Sequence, residues 1–210
     1  MKRKVLLLLM LTCSLSVTAQ QPAGAEESRN MIEQVCEAAG ELASLQCDFR
    51  QTKRLSLLQT DMVSAGRMCY KGGRLLRWEY VSPYQYVFVI NGDKVMIKSA
   101  QKTDVVDVKS SRMFQQIARI MMNSVTGRCL TDTEDFSVTM LKQGGEWLAR
   151  LVPRQREMAR MFAHVLLHID PQARMVTQVE LVEKAGDTTR IEMTNIRKNE
   201  PVSEEAFAVE

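Results

Sequence analysis

From Glu26 to Ala43 the apolar residues Met31, Ile32, Val35, Cys36, Ala39, Leu42 and Ala43 recur at three- and four-residue spacing, which predicts an amphipathic helix. Beyond it the period changes to two. Leu45, Cys47 and Phe49 alternate with Gln46, Asp48 and Arg50, and similar short runs follow for over a hundred residues, as in strands with one wet face. Between the runs stand Lys71-Gly72-Gly73, Asn91-Gly92-Asp93, Gln143-Gly144-Gly145 and Ala185-Gly186-Asp187, each with a glycine where a tight hairpin turns. Hairpins imply antiparallel pairing.

Reading between the turns predicts strands near 46–54, 60–70, 74–81, 85–91, 94–100, 103–109, 134–142, 146–152, 162–170, 174–184 and 187–197. About eleven antiparallel strands cannot lie flat, because twist accumulates and exposed edges invite pairing, so a curved sheet or partial barrel is expected. A second helix is predicted after Ser110-Ser111, through Met113, Phe114, Ile117, Ala118, Ile120, Met121 and Met122, ending before Gly127. Shorter interruptions fall at 154–160, after Pro153, and at 203–206, before Phe207. The two helices have unpaired apolar stripes and are the natural covers for the sheet's hollow. The fold class is therefore mainly β (α+β), an unclosed antiparallel β-barrel with an α-helical lid.

The amino terminus changes the picture of where this fold works. Lys2, Arg3 and Lys4 precede the apolar run Val5 to Leu11, and Val17-Thr18-Ala19 puts small residues at both cleavage-determining positions, the plan of a signal peptide cut after Ala19. The expected organisation is a leader over residues 1–19 and one exported domain over 20–210. The apolar run is shorter than the roughly 20 residues a membrane span takes. Met10-Leu11-Thr12 before Cys13 lacks the small residues of a lipidation site.

Composition is that of a globular protein, 45% apolar and 25% charged over 210 residues, which rules out collagen, coiled coil and disorder. The net charge of +3 comes entirely from the three leader cations, so the remainder is balanced and gives no electrostatic reason to bind nucleic acid. Cys36, Cys47, Cys69 and Cys129 follow the leader; their spacing fits neither zinc nor a Cys-x-x-Cys redox pair, and three disulfide connectivities are open. His164 and His168 face away from Val165, Leu167 and Ile169 in strand register, and no third ligand accompanies them. No nucleophile elbow, phosphate loop or dinucleotide fingerprint occurs. The sequence predicts no enzyme, no cofactor and no metal.

The stretch from Gly66 through Tyr70-Lys71-Gly72-Gly73-Arg74-Leu75-Leu76-Arg77-Trp78-Glu79-Tyr80 to Pro83, followed by Val87-Phe88-Val89-Ile90-Asn91-Gly92, resembles the periplasmic outer-membrane lipoprotein carrier family, LolA. Phe49-Arg50-Gln51-Thr52-Lys53 upstream, and Leu151-Val152-Pro153, Asn195-Ile196-Arg197-x-Asn199 and Phe207 downstream, extend the resemblance over roughly residues 45 to 207. It implies a carrier that takes the acyl chains of lipoproteins from an inner-membrane lipoprotein-releasing ABC transporter and passes them to an outer-membrane acceptor, LolB-like or other. A monomer is expected. Gly72 departs from the family's pattern: it stands where the resemblance places an arginine that tethers the lid.

Fourteen methionines, of which only Met1 and Met10 lie in the leader, suit an irregular surface that seals over acyl chains or over itself. The candidate cavity residues are Phe49, Met62, Met68, Leu76, Trp78 and Met96 on the sheet, with Phe114, Ile117 and Met121 on the lid; Met113 and Met122 join them as further candidates. Each is also an ordinary core residue by type. Trp78 and Tyr80 share a strand face with Leu76, while Arg77 and Glu79 take the other. A periplasmic sensor or scaffold, or a glycolipid-binding protein, would use the same fold.

Overall fold

The switch of period at Leu45 is where helix gives way to sheet in the computed structural model, which describes residues 19–57, 60–72, 74–107, 123 and 127–209. The expected leader, up to Thr18, and the helix expected over 111–122 lie outside these residues. Helix α1 spans Ala25–Gly40, with Glu26 and Glu27 in its first turn, where carboxylates favour the helix dipole. Eleven strands follow it: β2 (Ser44–Arg54), β3 (Asp61–Lys71), β4 (Leu75–Ser82), β5 (Tyr86–Asn91), β6 (Lys94–Ser99), β7 (Thr103–Asp107), β8 (Phe136–Gln143), β9 (Glu146–Pro153), β10 (Phe162–Asp170), β11 (Met175–Glu183) and β12 (Thr188–Lys198). These match the strands expected from the alternation. A twelfth, β1 (Gln21–Pro22), precedes α1 and pairs with Leu141 and Lys142 of β8. Two residues carry no period, so nothing in the sequence announces it.

All twelve form one antiparallel sheet in the order β1-β8-β9-β10-β11-β12-β2-β3-β4-β5-β6-β7, with β1 and β7 as unjoined edges. The barrel is unclosed. Most neighbours are hairpins, as at Gly92 (φ 59°) and Gly186 (φ 91°), where the backbone takes the left-handed turn that glycine tolerates. Two pairings join strands not consecutive in the chain: β1 with β8, and β12 with β2, the latter making one sheet of two halves.

That long-range seam is held at its end by Asn199. Its backbone is left-handed (φ 58°), its side-chain oxygen accepts from the Ala43 and Ser44 amides at 2.8 and 3.4 Å, and its amide nitrogen donates to the Glu41 carbonyl at 3.3 Å. Asn195, also left-handed (φ 51°), sits at the register shift of β12 and donates to Asp48 at 2.8 Å. Asparagine adopts this conformation more readily than most residues.

Apolar side chains pack in two clusters on the inner face and one on the outer. In the first, Met31 and Val35 of α1 meet Phe136, Met140, Leu151, Leu167 and Ile169 of β8–β10, together with Cys129, Leu130 and, from the short helix α2 (Arg156–Met161), Met158. The second lies on β2–β6 and comprises Leu45, Cys47, Phe49, Met68, Tyr70, Leu76, Phe88, Ile90 and Val95. Met193 of β12 packs against both and joins them. On the outer face the 3-10 turn Glu204–Phe207 inserts Phe207 against Val89 and Met96.

Candidate functional site

The second inner cluster begins with a strand that lacks a side chain at one place. Gly66 of β3 lies opposite Phe49 of β2, and a Cβ there would collide with the Glu79 carbonyl oxygen and the Phe49 ring. The missing side chain lets Phe49 lie across β3 and stack on Trp78 of β4, centroids 4.2 Å apart and planes 29° from parallel. Tyr80 meets Phe49 edge-on at 5.2 Å, and its hydroxyl donates to Gln51 at 2.9 Å. Tyr84 and Tyr86 continue the aromatic series at 5.8 and 6.2 Å from Tyr80. Burial holds the phenols of Tyr80 and Tyr86 above their ordinary value, so both stay protonated across the physiological range.

Away from the aromatic end the face is aliphatic. Leu76 is 0% exposed, Met68 1% and Phe49 2%, so these side chains are shielded from solvent. Among the described elements α1 packs on β8 and β11, over the first cluster. The second cluster lies on β2–β6.

Phe49, Met68, Leu76 and Trp78 thus come together on one inner surface. Met62 shares their side of β3, in step with Met68, but is 56% exposed beside Lys53 at the strand's end. Met96 packs on the outer face with Val89 and Phe207 instead. In the run Val95-Met96-Ile97 every residue is apolar, and the facing Phe207 decides which side is which. Phe114, Ile117, Met121, Met113 and Met122 lie outside the described residues. Tyr80 joins Phe49 and Met68 on the face expected from its alternation with Leu76 and Trp78, and Gly66, Phe88, Ile90 and Val95 belong to the surface without having been named as cavity candidates; a glycine inside a strand is itself a signal of close approach.

Polar chemistry sits on the opposite side. Arg77 pairs with Glu79 at 2.9 Å and donates to the Ala206 carbonyl at 3.4 Å, both on the outer face. Arg74 pairs with Asp93 in the turn. The Gly72 amide donates to the Ala43 carbonyl at 2.8 Å. His168 meets Glu146 at 3.1 Å, and burial together with the Arg150 guanidinium holds His164 below its ordinary value. Among the described residues no group of three His, Cys, Asp or Glu is placed to hold a metal ion, and no helix is long and apolar enough to cross a membrane.

An open antiparallel half-barrel with an apolar, charge-poor inner face and a helix packed against one half defines the structural class. The chain belongs to the LolA family, whose description, outer membrane lipoprotein carrier protein LolA, matches over residues 40–210. It is similar to an outer-membrane lipoprotein carrier protein of Pseudomonas fluorescens, 24% identical over 144 residues, which covers 69% of this chain and 66% of that protein. Among solved structures, the MucA/MucB complex of Pseudomonas aeruginosa aligns with TM-score 0.52 and 11% identity over 86% of this chain and 60% of that one. A LolA superfamily protein of Nitrosomonas europaea aligns with TM-score 0.47 and 11% identity over 86% and 97%.

Proposed function

We propose that the protein is a non-enzymatic periplasmic carrier whose inner face binds the acyl chains of lipoproteins and moves them from the inner to the outer membrane. The observation that carries the reading is the apolar inner face of β2–β6, continuous over five strands, while α1 packs chiefly on β8 and β11. The family and the distant carrier relative support it. On this reading the donor is an inner-membrane lipoprotein-releasing ABC transporter and the acceptor an outer-membrane, LolB-like site, and residues 1–19 are removed on export.

The energetics explain why a carrier is needed. Each methylene exposed to water costs about 0.8 kcal/mol, so a chain of about 16 carbons costs on the order of 12 kcal/mol to carry bare across an aqueous gap. A covered face offsets this burial with the cost of opening, which keeps release possible. In this proposal the segment 111–122, which lies outside the described residues, is the lid that moves aside when chains enter.

Native mass spectrometry with a synthetic lipopeptide series tests the reading, joined to hydrogen exchange over 111–122 with and without ligand. Expected are 1:1 complexes whose stability rises with acyl length, and exchange in 111–122 that changes on binding. Binding indifferent to acyl length would sink the carrier and favour a peptide-binding sensor on the same fold. Unchanged exchange would remove the lid.

A further inference from the structure

Gly127 is seated directly on α1: a Cβ built there would lie 3.1 Å from Val35 Cγ1 and 3.7 Å from Ala39 Cβ. The Cys36 sulfur, on the same stretch of helix, lies 3.9 Å from the Gly127 carbonyl oxygen. That oxygen also accepts from the Leu130 amide at 3.0 Å, closing the 3-10 turn Arg128–Leu130 that carries Cys129. Cys129 is 3% exposed and packs in one cluster with Met31 and Val35 of α1. Both thiols therefore border the seam between α1 and this turn.

Cys69 has no comparable partner. On β3 it lies opposite Gln46, one residue out of register with Cys47, so the two side chains emerge on opposite faces of the sheet. Cys47 belongs to the inner cluster and Cys69 packs on the outer one with Val89, Met96 and Phe207. A bridge between them would have to pass through the backbone.

We propose that Cys36 and Cys129 are a site of oxidative modification, forming one intramolecular disulfide when the protein meets a small-molecule disulfide donor. Of the pairings the four cysteines permit, this is the one whose members share a packed seam. Both thiols exist as free cysteines in this structure. The Cys36 thiolate attacks one sulfur of the donor, forming a mixed disulfide and expelling one donor thiolate. Cys129 then loses its proton, attacks the Cys36 sulfur and expels the second. Two protein thiols are oxidised by two electrons in all, the donor disulfide is reduced to two thiols, and the protein's two protons pass to them.

The half-buried Cys36 is the entry point. Burial raises its thiol and pushes that of Cys129 up to about 12, so the exchange is slow near neutral pH and faster in mild alkali. The bridge closes a loop containing β2 to β7 and ties α1 to the turn at its seam. It is a different claim from the acyl carrier and involves no cargo.

The test is oxidation of the reduced, purified protein with oxidised glutathione in mild alkali, alkylation of the remaining thiols, and peptide mapping. Cys36 and Cys47 share the tryptic peptide 30–50, so a second cleavage after Glu37 and Glu41 is needed to tell them apart. Expected is a cross-linked pair of the peptides holding Cys36 and Cys129, with Cys47 and Cys69 alkylated and the link lost on reduction. The inference fails if Cys36 and Cys129 are both alkylated, if Cys36 stops at the glutathione mixed disulfide, or if either is joined to another cysteine. Because no lipid is present, failure here leaves the carrier reading standing, and failure of lipopeptide binding leaves this result untouched.

Discussion

Phe49 and Trp78 stack across β3, a strand that neither belongs to, and the contact exists because Gly66 between them has no side chain. The aromatic end of the inner face is thus set by an absence on the intervening strand. Replacing Gly66 by Ala forces a methyl group against backbone and ring at once. Urea denaturation should show a loss of about 1–3 kcal/mol. Gly40→Ala, with nothing within 4 Å of the new methyl, is the control and should be near neutral.

Asn199 clamps the turn between α1 and β2 through three side-chain hydrogen bonds in a left-handed backbone. Asn199→Ala removes the bonds and keeps the strained φ, so stability should fall by about 1–3 kcal/mol. Asn199→Gly removes the bonds but suits the backbone, and should lose less. Equal losses in the two variants, measured by thermal denaturation, would show that φ contributes nothing.

The two faces of the sheet predict different phenotypes. Phe207 is 0% exposed on the outer face, and Phe207→Ala should cost about 3–5 kcal/mol while leaving lipopeptide affinity unchanged well below the melting transition. Trp78→Ala, on the inner face, should lower that affinity as well as stability. Equal effects on affinity would mean that the inner face is not the acyl seat.

His164 is depressed first by burial and then by Arg150, with Glu180 pulling the other way. The folded chain therefore gives up this proton more readily than the unfolded one. The associated stability is fully present above the ordinary value of 6.5 and is lost as pH falls through the lower folded value. A series of Tm values from about pH 7.5 down to about pH 5 should decline, and His164→Gln should make the decline shallower. A variant with the same slope as the parent would assign the dependence to other groups.

Most of the sheet was legible in the chain because alternation and hairpin glycines are local signals. Leu45, Cys47 and Phe49 alternate with polar neighbours, and Gly92 and Gly186 turn where hairpins were expected. The pair Leu76 and Trp78 against Arg77 and Glu79 was likewise readable, since period two alone assigns their faces. The edge strand Gln21–Pro22 was not, being too short to have a period. Met96 was not either, because its neighbours Val95 and Ile97 are as apolar as it is.

By itself the sequence determined the strands, their antiparallel sense, the amphipathic α1 and the family, all properties of residues close together in the chain or of their order. Tertiary structure alone decided that β12 lies beside β2, that Phe207 claims the outer face and Met96 with it, and that Cys36 and Cys129 border one seam. These contacts join residues tens to more than a hundred positions apart. Their energies depend on which surfaces are left to cover once the local elements exist, and periodicity carries no record of that competition.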